Sequence, residues 1–255
     1  MTSLLAYDHY GYALVAVLGT AFAVWLIDAA MRAPALGPRL ARLRGVAPPF
    51  INIVGVLFGL TLAFLANDTW SAHDRTSAAV YREADSLRSL TNVARQIDGE
   101  PGAALSGALR AYRDAAVEEW RFLAARKASP AAQSAGDALV GLVSARGFAG
   151  AAGPTLHDLV LRKVVELRAD RDARISLSQT HVNPLKWLGM AFLGFVTLLS
   201  IAAVHLDNRR AALTALILFS LGAAPAAAIV LVQSNPFQPP ASVSPQPLID
   251  ALAGL

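Results

Sequence analysis

Pro49-Phe50-Ile51-Asn52-Ile53-Val54-Gly55-Val56-Leu57-Phe58-Gly59-Leu60-Thr61-Leu62-Ala63-Phe64-Leu65-Ala66-Asn67 contains no charged residue, and the uncharged run around it reaches from Arg44 to Asp68. Three more such runs lie between His9 and Asp28, between Lys186 and His205, and from Ala211 to Val232. Each is about 18–23 residues, enough helix to cross a hydrocarbon core roughly 30 Å thick. Apolar residues make up 55% of the chain and charged residues 16%, against about a quarter charged in an average soluble domain. Four long apolar runs with a charged block between the second and third have no good soluble explanation. The sequence therefore predicts an all-α membrane protein with four spans.

The first run is expected to be a membrane span rather than a secretion signal. It opens with Asp8, lacks any Lys or Arg ahead of it, and runs into Asp28 and Arg32 without a small-residue cleavage site. Domain boundaries follow the charge pattern. Residues 1–67 hold spans one and two with a basic loop, and 68–185 form a polar helical domain. Residues 186–232 hold spans three and four, and 233–255 form a Pro-rich tail with a short terminal helix. Arg32, Arg39, Arg42 and Arg44 lie between spans one and two, and Arg209 and Arg210 between three and four. Basic short loops stay cytoplasmic, so both termini and the polar domain are expected outside. The Ala-rich, Arg-over-Lys composition resembles that of a GC-rich bacterial genome, so a bacterial inner membrane is the expected location.

In the polar domain, breaks at Asp98–Gly102, Ser129-Pro130 and Gly147–Pro154 divide the chain into helices near 68–97, 103–127, 130–146 and 155–183. Apolar residues recur at three- and four-residue spacing, as in Leu87, Leu90 and Ala94 or Leu156, Val160 and Val164. Four amphipathic helices with short connections pack most simply as an antiparallel bundle. Nothing breaks the helix between Ala66 and the residues after Asp68, so span two is expected to run on into the domain.

Several functions are excluded or left without support. There is no cysteine, so disulfides and thiolate metal sites are ruled out. The net charge of +4 is not gathered into a basic face for nucleic acid. Phosphate-binding loops, dinucleotide glycine patterns and zinc-protease motifs are missing. His73 and Asp74 are adjacent and so point about 100° apart on a helix, which argues against a metal site. No catalytic residue, metal or cofactor is expected. Glu118-Glu119 reads as a cap or ion pair, and Asp28 as an interfacial partner of Arg32 four residues on.

Gly55, Gly59, Ala63 and Asn67 fall four apart, a smooth stripe that lets another helix approach closely. Packing inside one subunit would explain it. So would packing around the axis of an oligomer, with Ile51, Phe58, Leu62 and Leu65 as an apolar constriction. Asn52 and Asn67 would then supply polar rings, and Asp68 a negative ring favouring cations. Trp70 and Trp187 sit just past spans two and three, as interfacial anchors.

The run Asn67-Asp68-Thr69-Trp70 with Arg82-Glu83-Ala84-Asp85-Ser86-Leu87 resembles the signature after the second span in the bestrophin-like domain family. Tyr112 with Glu119 and Trp120 resembles its Tyr…Glu-Trp segment. Arg171 and Arg174 ahead of Pro184 and Trp187 fit its approach to the third span. Asn235-Pro236-Phe237 with Val243-Ser244-Pro245-Gln246-Pro247-Leu248 resembles its ending, although Ser234 and Pro239 replace the usual Asp and Gly. The likeness covers about 48–255. It implies a distant relation to oligomeric ion channels whose second helix lines the pore. The expected function is a homo-oligomeric channel of four or five subunits passing inorganic ions through a lipid bilayer, cations more readily than anions. The alternative is a non-conducting scaffold or sensor whose helical domain binds a partner or ligand.

Overall fold

A computed structural model describes residues 8–33, 47–179 and 184–253. The described residues form helices α1 (Asp8–Arg32), α2 (Ala47–Ala94), α3 (Glu100–Glu118), α4 (Trp120–Ala124), α5 (Pro130–Ser144), α6 (Arg146–Gln179), α7 (Pro184–Val204), α8 (Arg209–Val232) and α9 (Gln246–Asp250). No strand occurs among them. Arg39, Arg42 and Arg44, on which much of the orientation argument rests, lie outside the described residues, as does the Pro184 approach at 180–183.

Helix boundaries follow local chemistry. Pro48 and Pro49 stand in the first turn of α2, where a missing N–H costs nothing. At the start of α3, Pro101 occupies the first turn, and a Cβ on Gly102 would collide with the backbone oxygen of Ile97. Ser129 caps α5 by accepting from the Ala132 N–H at 3.4 Å, and Asn208 caps α8 by accepting from Ala211 at 3.1 Å. The Gly147–Pro154 break is narrower than its composition predicts. Helix α6 is interrupted at Gly153 alone, whose φ of 74° a side chain would resist, and Pro154 restarts it. The second polar helix is shorter than expected, ending at Glu118, with α4 following as a separate turn.

The chain divides into two compact units. Tyr7–Trp70 and His181–Ser234 form the apolar unit, and Ser71–Thr180 with Asn235–Leu255 form most of the polar one. Helix α2 contributes to both without a break, as its lack of helix-breaking residues predicts.

In the apolar unit, α8 packs on α1 and α7. Phe58, Leu65 and Ala66 of α2 meet Met190 of α7 and Ala227 and Val230 of α8. Ile27, Leu198, Ile201 and Leu216 form a second cluster. Outside these seams the helices present large apolar side chains, such as Val15, Leu18, Phe22 and Trp25 on α1 and Leu218 and Leu221 on α8. Four helices are long and apolar enough to cross a membrane. A water-facing surface of that kind would be unstable, whereas lipid solvates it.

The polar unit has a conventional core of Val80, Leu87, Leu90, Leu105, Leu109, Leu139, Val160 and Leu167, closed from the C-terminal side by Leu248 and Leu252.

Candidate functional site

At the heart of the polar unit lies a group of charges sealed from solvent. Glu83 (α2), Glu119 (after α3) and Arg174 (α6) are each 0% exposed. Arg174 donates from Nε to Glu83 Oε2 at 2.8 Å and from Nη2 to Glu83 Oε1 at 3.0 Å. Its Nη2 also lies 3.3 Å from Glu119 Oε2. One turn earlier, Arg171 donates from Nε and Nη2 to the two oxygens of Glu119 at 3.1 and 2.8 Å, and from Nη1 to Gln133 Oε1 at 2.8 Å. The Tyr112 hydroxyl donates to Glu83 Oε1 at 2.8 Å, and the Ser129 backbone N–H to Glu119 Oε1 at 2.8 Å. The Trp120 ring covers the Arg174 guanidinium, 4.6 Å from its carbon to the ring centroid.

Two carboxylates thus face two guanidiniums, and the cluster is neutral. Burying such charges is tolerable only when each is paired and hydrogen-bonded. The C-terminal segment completes the enclosure. Trp120 Nε1 donates to the Val243 carbonyl at 2.7 Å, and its ring meets Phe237 edge-on. Asn235 Nδ2 donates to the carbonyls of Leu123 and Ala124 at the end of α4. The carbonyl of Pro236 accepts from the Val243 N–H at 2.8 Å.

The family-motif residues Glu83, Tyr112, Glu119, Trp120, Pro236 and Phe237 therefore converge on one locus with Arg171 and Arg174. Asp85 does not; it is exposed, 4.0 Å from Arg88. Trp70 belongs to the apolar unit, donating from Nε1 to Gln233 at 2.9 Å. Ser129 and Gln133 were not legible as members, because short polar residues at a helix start carry no signal of what they will meet. Every oxygen of this network is spent on the protein's own donors, which makes it a structural keystone. Burial and then the neighbouring Glu83 carboxylate hold the Tyr112 phenol well above its ordinary pKa. A proton held more tightly in the fold stabilises it below pH about 10, and that contribution is lost as pH rises through the raised value. Thermal unfolding between pH 9 and 11 should show stability falling with pH in the parent, with the slope reduced in Tyr112→Phe.

Helix α2 within the apolar unit tells a different story. Phe58 and Leu65 are 8% and 3% exposed, and Leu62 and Ile51 pack against the same interior clusters. The residues expected to form a constriction, Ile51, Phe58, Leu62 and Leu65, pack against the interior clusters of this chain. They share one helical face, and that face seats against α7 and α8 of the same chain. The Phe58 ring lies on Gly194 and beside Phe219, 5.5 Å between centroids. The opposite face carries Asn52, Val56, Leu60, Ala63 and Asn67, all exposed. A Cβ on Gly55 or Gly59 would meet nothing within 4 Å, so among the described residues no other helix closes on these two glycines. Asp68 is half-exposed and accepts from Lys186 Nζ at 2.7 Å.

Four lipid-type helices and a separate polar unit built on a neutral ion cluster define a multi-span α-helical membrane protein. The chain matches the bestrophin-like domain over residues 14–248, nearly its whole length, and it belongs to that family. Membership points to a channel-type function in the membrane. Among curated proteins and among solved structures, none matches it.

Proposed function

We propose that this protein is an oligomeric ion channel in which the outward face of α2, bearing Asn52, Val56, Leu60, Ala63 and Asn67, meets neighbouring copies around a conduction path. The observation that carries this is a pair of amides. Asn52 and Asn67 lie at the two ends of a membrane-spanning stretch, exposed and without a side-chain hydrogen bond among the described residues. Hydrocarbon penalises an unpaired amide, whereas water in a pore or a polar group on another copy satisfies it. The exposed face of α1, with Val15, Leu18, Phe22 and Trp25, is of the kind lipid solvates. Four or five copies would enclose such a path. Asp68 was expected to make the mouth negative; its partner Lys186 neutralises it locally, so the proposal assigns no cation preference to that position.

A second reading, a scaffold or sensor, draws on a groove of about 400 Å³ in the polar unit, lined by His73, Ser77, Tyr81, Arg88, Ser244 and Asp250 among others. The absence of native cysteine makes one experiment decisive. Asn52→Cys, Val56→Cys and Ala63→Cys should react with water-soluble thiol reagents in proteoliposomes and alter ion flux, while Phe58→Cys and Leu65→Cys should stay unlabelled. Absence of flux at every voltage and pH, with the first three positions unreactive, would leave the scaffold reading standing instead.

A further inference from the structure

Asp28 sits in the last turns of α1 and is 4% exposed. Two arginines from different spans share it. Arg209, the first residue of α8, donates from Nε to Oδ1 at 2.8 Å and from Nη2 to Oδ2 at 3.1 Å. Arg32, the last residue of α1, donates from Nε to Oδ2 at 3.0 Å, and its Nη2 reaches the same oxygen. Each guanidinium thus spends one edge on the carboxylate. Each keeps Nη1 without a partner among the described residues, and both side chains remain about half-exposed, at 57% and 51%. Arg210, the next residue in sequence after Arg209 in the first turn of α8, is exposed, and its guanidinium has no partner among the described residues. Among the described residues at these helix ends, and with the sequence neighbour Asp207 included, three arginines stand against two aspartates.

All three guanidiniums stand at the ends of membrane-spanning helices, the depth of the lipid headgroups. A phosphodiester offers two oxygens in the geometry that guanidiniums grip. A headgroup carrying its own ammonium would be partly repelled by the same arginines. We propose that Arg32, Arg209 and Arg210 bind the phosphate of an anionic phospholipid, with Asp28 as the anchor that holds two of the three guanidiniums in place. Spans one and four, joined by that anchor, present the site together.

The test is native mass spectrometry of the full-length protein released from detergent after titration with phosphatidylglycerol, phosphatidylcholine or inorganic phosphate in parallel. Phosphatidylglycerol should be retained in preference to phosphatidylcholine. Arg210→Gln, which leaves the Asp28 anchor untouched, should weaken that retention roughly fivefold, and Arg32→Gln with Arg210→Gln should weaken it further. The lipid-free melting temperature of Arg210→Gln should match the parent, which separates lost binding from lost folding. Equal retention of the two lipids, or unchanged retention in Arg210→Gln, would overturn the proposal. Displacement of phosphatidylglycerol by millimolar inorganic phosphate would overturn the lipid assignment in favour of a free-anion site.

Discussion

Arg174→Met is expected to destabilise the protein by about 3–5 kcal/mol, the cost of removing one partner from a buried ion pair. The size follows from what the substitution strands. Glu83 is fully buried and keeps only the Tyr112 hydroxyl once both bonds from Arg174 are gone. Glu119 loses a contact at 3.3 Å but retains Arg171 on both oxygens. The penalty therefore falls on Glu83, and it is a penalty of desolvated charge rather than of lost packing, since methionine fills much of the same volume. Adding Glu83→Met should recover a large part of the loss, because replacing both members of a buried pair is far cheaper than orphaning one. Arg174→Lys should fall between, since an ammonium cannot present the Nε and Nη2 edge to both oxygens. Chemical or thermal denaturation followed by circular dichroism measures all three. A double variant no more stable than Arg174→Met would show that the two groups are not coupled.

Phe58→Ala is the second large effect, expected to cost about 3 kcal/mol while leaving the ion specificity of any flux unchanged. The phenyl ring fills the space above Gly194 and beside Phe219. In lipid the transfer contribution shrinks, but lost van der Waals contact remains the main force between membrane helices. Melting temperature in detergent reads the loss, and reconstituted flux reads the specificity. A stable Phe58→Ala protein with altered conductance would return Phe58 to the conduction path.

This second result tests the point at which the sequence reading and the structure part. Asn52, Phe58, Leu62 and Asn67 stand on one uncharged run, and hydropathy treats its faces alike. In a soluble helix the apolar stripe marks the core; in a membrane helix every face is apolar, so the inward face is set by neighbours alone. By hydropathy Phe58 and Leu65 suit an oligomer axis and a neighbouring helix equally, and only the fold shows them packed on α7 and α8. Asp28 shows the same limit. Arg32 was legible four residues away, while Arg209, 181 residues along the chain, was not.

The amino-acid sequence by itself determined the four spans, the separate polar domain, the uninterrupted second helix and the family, because charge-free length and chain punctuation are local properties that lipid and backbone sterics read directly. Only the tertiary structure decided which face of α2 is interior, that Glu83, Glu119, Arg171 and Arg174 close into one neutral cluster, and that two spans share Asp28. Those outcomes depend on which distant side chains desolvate one another, and no pattern confined to a single helix encodes that.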